Sequence, residues 1–167
     1  MEHKTRRQLT LFLPEATSII IEKIRKQYNP VQYALIKAHL TLCREDEIEN
    51  LDQVLHTLSQ LQEPSFTMQF EGPTRFEQGM GVWMMAKDSK PFNSLRKKVL
   101  RSVIAEPREQ IPHMTLLHPR NGSCTDNIFT QICKETFPTY ITFDQISLIE
   151  QVDGGKWELL QVFNLDK

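Results

Sequence analysis

Two tetrapeptides, His39-Leu40-Thr41-Leu42 and His113-Met114-Thr115-Leu116, each set a histidine and a threonine two residues apart in apolar surroundings. Alternate residues of a strand share a face, so each His-Thr pair projects together while Leu40, Leu42, Met114 and Leu116 turn to a core. An imidazole moves protons near neutral pH, and a hydroxyl beside it donates to an anionic oxygen. Two such pairs facing each other supply a base, an acid and an anion cradle. A single strand histidine is ordinarily a core residue bonded to a carbonyl. The repeat of the whole pair favours one active site built from two halves.

Those strands need a scaffold, and the hydrophobic periodicity outlines it. Arg7 to Leu13 alternates as a first strand, closed by Pro14. Glu15 to Tyr28 changes to helical spacing through Ala16, Ile20 and Ile24, and Asn29-Pro30 stops it. The first motif strand follows, over 38–43. Asp46 and Glu49 read as a capping box for a helix carrying Ile48, Leu51, Leu55 and Leu58 and ending near Pro64. Strands are expected at 66–70 and 80–86, separated by the turn signals Gly72-Pro73 and Gln78-Gly79. Phe92, Leu95, Val99 and Val103 mark a third helix before the second motif strand. A fourth helix over 126–136 precedes strands at 140–151 and 156–165, which are joined by Asp153-Gly154-Gly155. After the first strand the order helix, motif strand, helix, strands occurs twice. With no flexible linker between the halves, residues 1–167 are expected to form one bilobal domain. The motif strands should then face a central cleft.

Composition narrows the partners. The 167 residues carry a formal net charge of −1, which gives no global attraction for a long polyanion and favours a short nucleotide or an RNA end. Cys43, Cys124 and Cys133 are odd in number and lack CxxC spacing, so neither a disulfide framework nor a structural zinc site is expected. No third ligand stands at metal spacing around either histidine, and no metal or other cofactor is expected. The charged stretch from Met1 to Arg7 leads into a strand rather than a signal peptide or membrane span, and a soluble, cytoplasmic protein is expected.

The paired motifs, with Tyr33 to Ala38 leading into the first and Ile111-Pro112 into the second, resemble those of the 2H phosphoesterase superfamily. That superfamily includes 2'-5' RNA ligases and 2',3'-cyclic phosphodiesterases. The resemblance spans nearly the whole chain. It implies an α+β fold with pseudo-twofold symmetry, antiparallel sheets flanking a central groove and helices outside. It further implies metal-independent attack on a 2',3'-cyclic phosphate or a 2'-5' linkage. One of His39 and His113 would act as base and the other as acid, with Thr41 and Thr115 on the phosphate oxygens. Some ligase-type relatives continue the second motif with Gly and Arg. Here Leu117 and His118 occupy those places, and Arg120 lies beyond Pro119.

Around the motifs, Tyr33, Lys37, Arg44, His118 and Arg120 are the candidates for binding substrate: Tyr33 by stacking on a base, the others by meeting phosphates. Trp83 and the methionines beside it read as core filling, and Phe12 as a further stacking candidate. Cys43 shares the expected face of His39 and Thr41 but is better explained as a buried small residue than as a nucleophile. His56 reads as a solvated helix position and His3 as terminal. Two other readings remain open. One is a module that binds a nucleotide or RNA terminus without turnover, and the other is a metal-dependent hydrolase.

Overall fold

The computed structural model describes residues 2–166. Its element order is β1 (Thr5–Phe12), α1 (Glu15–Tyr28), α2 (Pro30–Leu35), β2 (His39–Cys43), α3 (Leu51–Ser59), β3 (Phe66–Gln69), β4 (Thr74–Phe76) and β5 (Gly81–Met85). It continues through α4 (Lys90–Leu100), β6 (His113–Leu117), α5 (Asp126–Cys133), β7 (Tyr140–Phe143), β8 (Gln145–Val152) and β9 (Trp157–Asn164).

One antiparallel sheet has the order β2-β1-β8-β9. A second group comprises β4-β5-β6 and the pair β3-β7. These last two are joined where Phe70 bridges Ala86, with the Glu71 and Lys87 amides donating to the carbonyls of Met85 and Gln69 at 2.8 Å each. The first motif strand, β2, is an edge of the first sheet, and the second, β6, is an edge of the other. The two edges approach each other, and the helices cross over: α1 packs against β6 and α4 against β2. Leu9 and Leu11 of β1, Leu40 and Leu42 of β2, Ile21 and Ile24 of α1, Val99 of α4, and Met114 and Leu116 of β6 belong to one continuous buried cluster. Burying each of these side chains is worth about 1.5–3 kcal/mol. The motif residues therefore sit where two sheets meet.

Several boundaries differ from the sequence reading. Asn29 does end α1, yet a second helix starts at once, because Pro30 needs no amide partner in a first turn. Tyr33, expected only to lead into the first motif, therefore lies on a helix. Asp46 and Glu49 cap nothing. Glu47 is drawn inward by Arg96 and accepts from the Arg44 amide at 2.9 Å, so a 3-10 turn forms over Glu45–Glu47 and α3 begins only after Asn50. The expected single strand at 140–151 divides at Asp144 into β7 and β8, which enter different sheets. Thr74–Phe76, read as part of a turn region, adds a short strand to β5. Among the described residues no helix is long and apolar enough to cross a membrane.

Candidate active site

His39, Thr41, His113 and Thr115 line one cleft of about 540 Å³. The two motif strands present them alike: in each, the histidine and threonine are half-buried and the intervening Leu40 or Met114 is fully buried. Each strand also pairs with its neighbour across a register shift, between Leu9 and Thr10 for β2 and between Val82 and Trp83 for β6. The likeness extends to the hydrogen bonds. His39 Nδ1 lies 2.8 Å from the Lys37 carbonyl oxygen and His113 Nδ1 lies 2.9 Å from that of Ile111, two residues back in both cases. A carbonyl only accepts, so Nδ1 carries the proton and the neutral ring keeps its lone pair on Nε2. An aromatic ring from the adjacent strand braces each imidazole. Phe12 meets His39 edge-on at 6.2 Å between centroids, and Trp83 lies 4.6 Å from His113 while stacking on Phe76 at 4.2 Å. Trp83 is thus a support for a motif histidine rather than simple core filling.

Burial pushes the His39 imidazole down to about 4, aided by the positive field of Arg25 and by His113. Burial also lowers His113, with Arg44 adding to the effect. Both rings are therefore neutral in the free protein at neutral pH. Neither threonine hydroxyl has a hydrogen-bond partner among the described residues, although Thr10, paired across from Thr41, donates to the Leu40 carbonyl at 3.0 Å. Arginines dominate the rest of the cleft: Arg6, Arg7, Arg25, Arg44 and Arg120, against Glu45 and Asp46. Arg6, Arg7 and Arg25 are held by Glu45, Glu150 and Glu22. Arg44 and Arg120 form no ion pair among the described residues. Two unneutralised guanidiniums and two unused hydroxyls beside a histidine pair make a site for a compact anion.

The model of the 2'-5' RNA ligase superfamily matches residues 13–155. The chain belongs to this superfamily. A Bacillus licheniformis protein with a provisional phosphoesterase name is 26% identical over 165 residues, covering 94% of this chain and 96% of the relative. A Bacillus mycoides protein named in the same way is 23% identical over 152 residues, covering 86% and 87%. Among solved structures, E. coli LigT complexed with phosphate superposes with a TM-score of 0.65 at 16% identity, over 99% of this chain and 100% of that one. LigT complexed with 3'-AMP gives the same TM-score at 17% identity, over 98% and 99%. These likenesses establish the 2H phosphoesterase fold.

Within this superfamily framework the remaining candidates separate. Arg44, His118 and Arg120 line the cleft with the motif residues. Tyr33 and Lys37 line a neighbouring chamber instead, because α2 carries Tyr33 away, and Lys37 contributes only its carbonyl to His39. Cys43 is fully buried and its thiol is pushed up to about 12 by burial, so it lines no part of the cleft. His118 follows the end of β6. Its amide donates to Asn29 Oδ1 at 2.8 Å, and its Nδ1 accepts from the Arg120 amide at 3.1 Å. Its neutral ring therefore carries hydrogen on Nε2, the opposite tautomer to the motif histidines. Burial and Arg120 keep it neutral.

Asn29 ties this loop down. It is 1% exposed and donates to Asn121 Oδ1 at 2.9 Å, while Asn121 in turn reaches Gln32. Gly122 permits the contact, since a Cβ there would stand 2.8 Å from Asn29 Nδ2. Sequence reasoning missed Arg6, Arg7, Arg25 and Trp157, which come from β1, α1 and β9. The only available signal was the run of arginines on a strand otherwise expected to alternate. Among the described residues, no group of three or more His, Cys, Asp or Glu side chains is arranged to hold a metal ion.

Proposed function

We propose that this superfamily member, with residues 1–167 working as one bilobal unit, hydrolyses a 2',3'-cyclic phosphate or a 2'-5' phosphodiester of a nucleotide or RNA end. The observation that carries this reading is the matched pair of imidazoles, each held through Nδ1 by the carbonyl two residues back, in a cleft with unpaired guanidiniums. LigT has been solved with phosphate and with 3'-AMP, which supports a nucleotide phosphate as the ligand here.

In the proposed reaction one Nε2 removes a proton from water as its oxygen bonds to phosphorus. The other, protonated, gives its proton to the ribose oxygen as the P–O bond breaks, leaving a 2'-phosphate from a cyclic substrate. Thr41 and Thr115 donate to the non-bridging oxygens, whose charge grows in the crowded transition state. Arg44, Arg120 and the His118 Nε2–H add positive potential and a neutral donor. The anionic substrate supplies what the cleft's own residues do not, because its charge favours the imidazolium that burial disfavours. With a second nucleoside's 5'-hydroxyl in place of water, the same proton transfers open the 2',3'-cyclic phosphate to a 2'-5' linkage. The new P–O bond forms to the 5'-oxygen as the bond to the 3'-oxygen breaks and that oxygen takes the second proton.

The test is a panel of nucleoside 2',3'-cyclic phosphates, 2'-5' dinucleotides and RNAs ending in a cyclic phosphate, assayed with and without chelator. Product regiochemistry is read by phosphorus NMR. Turnover that survives chelation and yields 2'-phosphates is expected. Binding without turnover across the panel would leave a nucleotide-binding module, and loss of activity restored by zinc or manganese would establish a metal hydrolase.

A further inference from the structure

The cleft does not end at the histidines. Ile36 and Trp157 line it and also line a second chamber of about 900 Å³, so the two spaces share a wall. The floor of the second chamber is the same face of the first sheet, continued along Ser147 and Ile149 of β8 and Leu159 and Val162 of β9. Tyr33 of α2 also lines it. Leu159 is 57% exposed, and Tyr33 and Val162 are each 37% exposed, so an apolar and aromatic surface is left open beside an anion site.

The charge changes sign between the two spaces. The cleft has five arginines against two carboxylates, whereas the chamber has no arginine and four carboxylates against two lysines. Of those carboxylates Glu22 is taken by Arg25, while Glu15, Asp144 and Glu158 form no ion pair among the described residues. Such a chamber suits a flat, uncharged group. Aromatic side chains stack on a base, and free carboxylates accept from its exocyclic amines. A phosphate would enter against the field.

Building on the reading above, we propose that the second chamber takes the nucleoside attached to the reacting phosphate and disfavours any further phosphate on that nucleoside. Among the substrates proposed above, the preferred ones are then those whose phosphate-bearing nucleoside has a free 5'-hydroxyl, such as a nucleoside 2',3'-cyclic phosphate or the 5' member of a 2'-5' dinucleotide, over an RNA 3' end, whose terminal nucleoside carries a 5'-phosphodiester.

The experiment is calorimetric titration of the full chain with inorganic phosphate, adenosine 2'-monophosphate and adenosine 2',5'-bisphosphate. The monophosphate should bind at least about tenfold more tightly than inorganic phosphate, from stacking in the chamber. It should also bind at least about tenfold more tightly than the bisphosphate, from like-charge repulsion. The double variant Glu15→Gln/Glu158→Gln should close the second gap, and Leu159→Arg at its exposed position should invert it. The proposal is overturned if the monophosphate binds no better than inorganic phosphate, if the bisphosphate binds as well as or better than the monophosphate, or if neither variant changes their ratio. Because binding is read rather than turnover, the two readings fail separately. Selective binding without hydrolysis would remove the catalytic reading and leave the chamber. Hydrolysis with an unpenalised bisphosphate would do the reverse.

Discussion

The histidines offer the most direct check, because their surroundings fix both proton affinity and tautomer. Holding His39 near 4 instead of its ordinary 6.5 means that charging it in the free protein costs about 3 kcal/mol. The sign is definite. The unfolded chain takes up this proton below 6.5 and the folded chain does not. Stability associated with His39 is therefore complete above pH 6.5 and lost as pH falls toward 4. Sulfate, a dianion over this whole range, should offset the loss. An opposite charge within roughly 4–6 Å raises an imidazole pKa by ~1–3. Sulfate should accordingly bind at least about threefold more tightly near about pH 4.5 than near about pH 7.5. The assay is a histidine-selective nitrogen–carbon NMR titration with and without sulfate, paired with calorimetry. Neutral His39 and His113 should show the Nδ1–H tautomer, and His118 the Nε2–H tautomer. His39 titrating near 6.5 in the free protein, or unmoved by sulfate, would refute the argument from burial, and a reversed tautomer at either motif would refute the argument from carbonyl anchoring.

On a substrate that the parent hydrolyses, His39→Ala and His113→Ala should each lower kcat by about 10²–10⁴, and the double variant should fall far short of the product, since both groups serve one step. Thr41→Val and Thr115→Val remove a bond to a charged oxygen worth roughly 1.5–3 kcal/mol, so activity should drop but stay measurable, and phosphate binding should weaken more than in the histidine variants. The pH profile of kcat/KM should be a bell lying below 6.5, because both histidines are lowered in the free protein and one must be protonated; an alkaline optimum would contradict this. Asn29→Ala leaves the His118 amide and Asn121 without their buried partner. It should lower stability by about 1–3 kcal/mol in denaturant titrations and raise KM more than it lowers kcat, whereas equal loss in both would place Asn29 in the chemical step.

The motif residues were legible in the sequence because their arrangement is local. A period of two turns His39 with Thr41, and His113 with Thr115, to one face, and Pro30 and Pro119 punctuate the chain by fixed backbone chemistry. The four longer helices were legible for the same reason, from apolar stripes that any amphipathic helix must bury, whereas α2 buries no side chain and carries no such stripe. Their exact ends were not. Glu47 leaves its expected helical neighbourhood to pair with Arg96, 49 positions away, and no local pattern records that bond.

Only the tertiary structure decided which strands share a sheet. The last two strands return to β1 rather than joining the second half, and this brings Trp157 of β9 beside Arg6 and Arg7 of β1 at the cleft. It also opens the chamber that takes Tyr33 away from the histidines. Residue type and spacing therefore determined the proposed reacting groups of this protein. The charge around them, their tautomers and the space beyond them follow from contacts between residues far apart in the chain, where ladder pairing and burial select one partner from many.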